Sequence, residues 1–393
     1  MSAKSITRLW YDRKFRRIII QVVSFAVFLA FVLFIFDNTQ TNLKRLNITP
    51  GFAFMDDIAG FVAAYPNMNL TGFDVNKSTH LDVFFTGLVN TLLVAVAGII
   101  FATILGFVLG ILRLSQNVLI SFIAAAWVEL MRNVPLLLWI LIWYFAVILS
   151  LPSVKASISV LDMFYLNQRY FAVPQADFHG SFGLVFGAFI ASIVISVGLA
   201  RWAKKRQEAT GQFFPVLYPS LGLIVGLPFL ALAVSGFPVT WEIPVLKGFN
   251  FRGGVQLPAQ YAAMVIALSV YTSAYIAELV RAGILAVNSG QIDAAKAIGL
   301  QPGRIMRLVI VPQAMRVIIP PLTSNYLNLT KNTSLAVAIG YLDLVNVFAG
   351  VSLMQTGNAL EIIMLTMLVY LTLSLIISLF MNYYNKRMAI VER

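Results

Sequence analysis

Long apolar runs constrain this chain more than any other feature. They cover Ile18–Phe36, Leu88–Leu112, Val118–Leu149, Phe182–Ala200, Val216–Val234, Ala259–Leu279 and Leu360–Phe380. Roughly 20 apolar residues in a helix rising about 1.5 Å each cross hydrocarbon about 30 Å thick, and these runs are of that length. Composition agrees: 60% of the 393 residues are hydrophobic and only 11% charged, where soluble domains carry about 25% charged residues. Mean hydropathy is +0.85. The pattern describes an all-α polytopic membrane protein and excludes a soluble enzyme.

The formal charge of +12 does not imply a nucleic-acid partner, because the charges fall between the apolar spans and not along one basic face. The chain has no cysteine, which excludes disulfides and thiolate chemistry. His80 and His179 lie in polar linkers without a partner cluster, so no metal site is expected. The lead MSAKSITRLWYDRKFRR is long for a signal peptide and no small-residue cleavage site follows the first run. That run reads as a retained span.

Two regions leave the span count open. Val118–Leu149 is interrupted by Glu129, Arg132, Asn133 and Pro135; it is either one long tilted helix or a lead-in followed by a span. Residues 312–350 are mostly apolar but hold Lys331, several Asn and Thr residues and a tandem proline pair. Counting that stretch once gives eight crossings. With the N-terminus inside, the inner segments hold six Lys/Arg in 1–17, Arg113, four in 201–206, five in 281–316 and three in 386–393. The outer segments hold seven: Lys44, Arg45, Lys77, Lys155, Arg169, Lys247 and Arg252. Nineteen against seven places both ends in the cytoplasm by the positive-inside rule, and favours the even count.

Charges inside apolar segments face other helices or a cavity, because isolated charge in hydrocarbon is unfavourable. Glu129 and Arg132 are spaced to pair on one helical face, either as part of a gate or as an anchor at the inner boundary. Glu278 and Arg281 repeat the spacing after Tyr271-Thr272-Ser273-Ala274-Tyr275, where the small residues suit close helix packing. Lys331, among hydroxyl and amide side chains, either lines a path or snorkels to the membrane edge. Gly106 and Gly110 fit the G-x-x-x-G helix-contact pattern.

The segment Gly283–Leu322, GILAVNSGQIDAAKAIGLQPGRIMRLVIVPQAMRVIIPPL, forms an inner loop. Gln291 to Ile298 predicts a short helix ended by Gly299. A second piece follows Pro302-Gly303, and Pro312 is expected to break it. The result is an amphipathic knob, either docking another protein or lying on lipid headgroups.

This loop resembles the signature of bacterial ABC import permeases, Glu-Ala-Ala, three residues, Gly, nine residues, then Ile-x-Leu-Pro. Asp293-Ala294-Ala295, Gly299 and Val309-Ile310-Val311-Pro312 fill those places, with Asp for Glu and Val for Ile and Leu. The segments Gly87–Leu92, Val128–Pro135, Tyr271–Gly283 and Lys331–Leu335 narrow the resemblance to permeases for polar amino acids. The larger form looks like one permease subunit of the general L-amino acid transporters of Gram-negative bacteria.

The resemblance implies the type I ABC importer permease fold with about eight transmembrane helices. On it, 1–17 is a cytoplasmic N-terminus, 18–36 the first span and 37–83 a periplasmic segment. Residues 84–149 and 258–382 form the two parts of the core, with the coupling loop at 282–312. Residues 150–257 hold periplasmic segments and an inserted two-span region, and 383–393 a cytoplasmic tail. The implied partners are two copies of an ABC ATPase subunit, a homologous second permease and a periplasmic amino-acid-binding protein, in the bacterial inner membrane. This chain has no G-x-x-x-x-G-K-[ST] phosphate loop; it is expected to bind no cofactor and to be no enzyme, with ATP and magnesium held by the partner ATPase. Gln291, Asp293, Ala294, Ala295, Gly299 and Pro312 are the expected docking unit. Arg132, Tyr275, Glu278, Lys331 and Asn332 are candidates for the path of an L-amino acid. Spans and charges alone leave an ion-coupled secondary transporter or a membrane scaffold open.

Overall fold

Hydrocarbon offers no partner to a peptide group, so each apolar run closes its own hydrogen bonds as a helix. The computed structural model describes residues 13–45, 51–178, 182–212, 214–236 and 239–388. His179 lies outside them, as do 1–12 and 389–393 of the two terminal segments. The long helices are α1 (Arg13–Arg45), α2 (His80–Leu112), α3 (Val118–Asn133), α4 (Leu136–Leu141, widened into a π-turn to Ile148), α5 (Phe182–Thr210) and α6 (Leu217–Val234). They are followed by α7 (Ala259–Leu285), α8 (Ser289–Ala297), α9 (Pro302–Ile305), α10 (Val311–Asn332), α11 (Leu353–Thr356) and α12 (Ala359–Met388). Among the described residues seven helical stretches are long and apolar enough to cross a membrane, and eight if the bent pair α3–α4 is one span.

Local chemistry sets several boundaries. Thr79 and Asp82 form a reciprocal capping box at the start of α2. Asn117 caps α3 by accepting from Leu119 N and Ile120 N at 3.0 and 3.3 Å. Val134 is forced extended, φ −107° and ψ 134°, because it precedes Pro135. The chain therefore turns by 106° between α3 and α4, so 118–149 is not the one long helix that the sequence allowed. Pro312 does not break its helix as the sequence suggests. A π-turn at Met306–Ile310 widens the helix just before it and absorbs the missing N–H, so Pro302–Ile339 is one continuous stretch. Residues 340–358 then fold back as a short loop, a π-turn at Val345–Ser352 and α11.

The core is a seam between α2 and α7. A Cβ built on Gly106 would lie 2.5 Å from Ile276 Cβ, and one on Gly110 would lie 2.6 Å from Val280 Cβ. Only glycine allows the two backbones so close. From α7, Thr272, Ser273 and Ala274 are buried in this bundle. α10 packs on the far side of α7, where Gly283 sits against Ile318.

The linkers read only as polar segments contain eight short strands. β1 (Ile158–Val160), β2 (Phe164–Leu166), β3 (Tyr170–Val173) and β8 (Val255–Pro258) form an antiparallel sheet in the order β1-β2-β3-β8. β4 (Gln175–Phe178) pairs with β5 (Val239–Glu242), and β6 (Val245–Lys247) with β7 (Asn250–Arg252). Since β3 joins β8 and β4 joins β5, the segments before α5 and after α6 share one side. The α5–α6 hairpin therefore goes across and returns. Below, the strand side is this one, and the loop side is that of α8.

Gly106→Val tests the seam. Overpacking of about 1–3 kcal/mol should lower the Tm of the detergent-solubilised protein. Gly222→Ala in α6, where an added Cβ meets nothing within 4 Å, should leave it unchanged or raised.

Candidate functional site

The loop side presents α8 as a knob. Asn288 Oδ1 accepts from Gly290 N at 2.8 Å to start it, and Gly299 ends it with φ +78°, a left-handed conformation that only glycine adopts freely. Gly299 N reaches Lys296 O at 2.9 Å and Leu300 N reaches Ala295 O at 3.1 Å. Ala295 is buried underneath, while Gln291, Asp293, Ala294 and Gly299 are exposed. Asp293 pairs with Lys296 at 3.2 Å in the open. Ile298, which the sequence reading did not single out, is 77% exposed at the tip. Its signal was present: a large apolar side chain next to the cap of a helix that packs by its other face. Pro312 is half-buried in the continuous helix above.

An ion cluster closes the loop-side end of the seam. Glu278 of α7 is bound by Arg113 at the end of α2, by Arg281 at 2.6 Å, and at 3.9 Å by Arg132 from the α3–α4 elbow. Three guanidinium groups meet one carboxylate, so the cluster keeps excess positive charge. The Arg132 guanidinium also lies 5.5 Å from the centre of the Tyr275 ring, and Tyr275 shares a 3.0 Å hydroxyl contact with Tyr271. Arg132 Nε is buried without a hydrogen-bond partner. The Glu129–Arg132 pair allowed by spacing is not made; Glu129 points outward and Arg132 turns to Glu278 instead. Arg113, absent from the sequence candidates, is a further partner, and its contact across 165 positions left no local signal.

Lys331 and Asn332 are not brought to this cluster. Ser269, Gly98 and Leu329 share one level, through the Ser269 Oγ bond to Gly98 O at 3.4 Å and the contact of Leu329 on Gly98. Lys331 therefore stands near mid-bundle, roughly 15 Å from the Glu278 level at about 1.5 Å per residue. It belongs to a stripe along α10. Val317, Pro320, Ser324, Asn328 and Lys331 recur at helical spacing and are all exposed, with Gln313 half-buried in line with them.

The strand-side end is sealed by the 340–346 loop. Tyr341 OH donates to Asn90 O at 3.1 Å, Asn90 Nδ2 to Leu342 O at 2.7 Å, and Leu344 N to Thr91 Oγ1 at 3.0 Å. Tyr65 stacks on Tyr341 with centroids 5.8 Å apart. Asp343 is fully buried here; its Oδ1 accepts from Asn346 N at 2.9 Å, while Oδ2 has no partner. His80, read as a linker residue, is the first residue of α2 and is buried, with Nδ1 2.9 Å from Ser352 Oγ. No group of three or more potential metal-ligating side chains occurs among the described residues.

The fold is a helical membrane bundle with an exposed loop-side knob. The chain belongs to the family of binding-protein-dependent transport system inner membrane components, whose description matches residues 212–390. It is 47% identical over 383 residues to the general L-amino acid transport system permease protein AapQ of Rhizobium johnstonii, covering 98% of this chain and 94% of that protein. The putative amino-acid ABC transporter permease protein YhdX of Escherichia coli is 48% identical over 95% of this chain and 94% of its own length. The glutamate/glutamine/aspartate/asparagine transport system permease protein BztB of Rhodobacter capsulatus is 41% identical over 99% of this chain and 97% of its own. This chain is thus the multi-pass inner-membrane permease component of an ABC-type amino-acid import system, a non-catalytic part of a multi-subunit complex. The secondary-carrier and scaffold readings give way to it.

Burial pushes the Asp343 carboxyl up to about 7, against the opposing pull of backbone hydrogen bonds. The folded chain thus holds a proton that the unfolded chain releases at ordinary carboxylate pH. The stability this contributes is complete below that ordinary range and is lost as pH rises to about 7. Asp343→Asn keeps an acceptor for Asn346 N and removes the titration. Its Tm should exceed that of the wild type at about pH 8, and the two should converge near pH 4. Parallel pH profiles would contradict this.

Proposed function

We propose that this chain and a homologous second permease enclose the route by which L-amino acids, broad or polar in range, pass from periplasm to cytoplasm. A periplasmic amino-acid-binding protein delivers the substrate to the strand side. Two copies of an ABC ATPase, holding ATP and magnesium, drive the cycle from the loop side. The substrates for which the similar permeases are named, general L-amino acids and glutamate, glutamine, aspartate and asparagine, support this range. The excess of Lys/Arg in the segments assigned to the loop side supports a cytoplasmic α8 and cytoplasmic chain ends.

The observation that carries the route is the α10 stripe. Ser324, Asn328 and Lys331 are exposed at mid-depth in the isolated chain. Amide and ammonium groups facing lipid would be strongly unfavourable. A second subunit with a polar passage between the two gives them partners, and a zwitterionic substrate presents a carboxylate to Lys331. Asn332 flanks this position. Arg132, Tyr275 and Glu278 form the inner end of the same route, where the excess guanidinium charge attracts the carboxylate on its way out.

For coupling, Ile298 supplies an apolar anchor, Gln291 and Asp293 supply polar contacts, and Ala294 with Ala295 keep the knob slim. Gly299 holds its outline. Pro312 lies in the continuous helix that joins the knob to the α10 stripe, so displacement of α8 moves the path-lining residues.

Gly299→Arg places a bulky charge at a φ of +78° on the docking face. It should leave membrane insertion intact and reduce ATP-driven uptake at least about tenfold, read as transport per permease in membrane vesicles. Lys331→Met should leave ATPase coupling in place while changing the rate or concentration dependence of uptake; unchanged values of both would remove Lys331 from the route.

A further inference from the structure

The strand platform encloses a cavity that the route described above does not use. The turn at Gly253–Gly254 and the strands β7 and β8 lean over Tyr65 and Pro66, leaving a space of about 650 Å³. Its charged lining residues are Arg169 and Arg252, with no acid among the lining residues described. The Glu242 carboxylate lies against Gly253 of the wall, where an added Cβ would come within 2.8 Å of its Oε1, and among the described residues it makes no ion pair with either arginine.

Polar contacts, anchored on the buried Asn167 and Tyr170, hold the site, and both arginines are exposed on it. Asn167 is fully buried; its Oδ1 accepts from Arg169 N and Tyr170 N, both at 3.0 Å, and its Nδ2 donates to Ser157 Oγ at 3.1 Å. Arg169 Nη1 donates to Asn250 Oδ1 at 3.1 Å, which ties the guanidinium to β7. Tyr170 OH accepts from Phe251 N at 3.1 Å, and Gln256 Nε2 donates to Phe251 O at 2.8 Å. The Arg169–Asn250 and Phe251–Tyr170 bonds tie the two halves of the inserted region to each other beside the cavity that both arginines line.

The cavity also leads inward. Tyr65, one of its walls, stacks on Tyr341, whose ring lies 6.1 Å from that of Tyr261 in α7. An occupant would therefore rest on an aromatic column that continues into the bundle.

We propose that this cavity is an outer subsite for the carboxylate side chain of dicarboxylic L-amino acids, with Arg169 and Arg252 as its anion-binding groups. This rests on the amino-acid import reading and adds a charge preference to it. Two guanidinium groups that no carboxylate pairs with attract a substrate of net charge −1, are nearly indifferent to a zwitterion and repel a cationic amino acid. Glutamate and aspartate thus gather at the mouth ahead of glutamine and asparagine, and lysine is disfavoured.

The test uses the full importer in proteoliposomes with its binding protein saturated in turn by L-glutamate, L-glutamine or L-lysine. For Arg169→Gln combined with Arg252→Gln, glutamate uptake should fall about tenfold, glutamine uptake less than about twofold, and lysine uptake should hold or rise. Arg169→Lys with Arg252→Lys should keep most of the glutamate rate. Equal loss for all three substrates would overturn the subsite and point to docking of an acidic surface of the binding protein. No loss for any of them would overturn it as well. If the glutamine pair of variants is not recovered in membranes, the wild-type ratio of glutamate to glutamine uptake is read as salt rises from about 0.05 to about 0.3 M. A falling ratio is expected, and a constant one overturns the proposal. A wild-type complex that assembles yet moves none of the three amino acids would count against the import reading instead.

Discussion

Close backbone approach between α2 and α7 is the contact on which the rest of the structure depends. Lipid tails are as apolar as leucine, so burying apolar side chains gives helices little reason to associate. Van der Waals contact at short range has to supply it, and Gly106 and Gly110 permit that contact against Ile276, Ala277 and Val280. The polar seals at both ends of the bundle are then hung from these two helices. α2 carries Asn90 and Thr91, which bind the 340–346 loop, and ends in Arg113, which binds Glu278 of α7. A shift along the seam would disturb both ends at once.

The two ends differ in their electrostatics. On the loop side three arginines share one carboxylate, and the groups are partly exposed, with side-chain accessibility from 11% to 34%. Such a cluster exchanges partners at small cost, as suits a region that opens and closes. On the strand side the seal is made by buried hydrogen bonds and stacked rings, and Asp343 stays neutral over much of the pH range because burial outweighs its backbone donors. That end is held by packing and directional bonds, the loop-side end by charge.

The continuous helix from Pro302 to Ile339 connects these two regions mechanically. It starts beside α8, passes Gly283 through Ile318, and reaches mid-bundle at Lys331. The π-turn at Met306–Ile310 lets Pro312 sit inside this helix without interrupting it. In the proposed importer, movement of the knob is therefore transmitted by a single element to the polar stripe and not through a chain of loops. The α5–α6 hairpin stands apart from this lever. Its clearest structural product is the strand platform, which its return crossing makes possible.

Much was legible in the sequence because its rules are local. Apolar length marked the spans, charge placement gave their expected direction, and Pro135 and Gly299 marked real boundaries. The knob could be read because its helix, its cap and its exposed residues all lie within 289–299. What depended on distant pairing could not be read. β3 with β8 and β4 with β5 join segments separated by two crossings, so the platform looked like polar linker. Arg113 reached Glu278 across the bundle, and Arg132 turned to the same carboxylate in place of the Glu129 pair that helical spacing allowed. Pro312 was expected to end a helix, and a π-turn upstream kept it going. Sequence alone determined that this chain is a helical membrane protein, since the bilayer admits few other answers to such apolar runs, and the resemblance of its inner loop pointed to a permease. Tertiary structure decided which charges meet and which polar face is left open, because in a bundle those depend on how closely two backbones can approach.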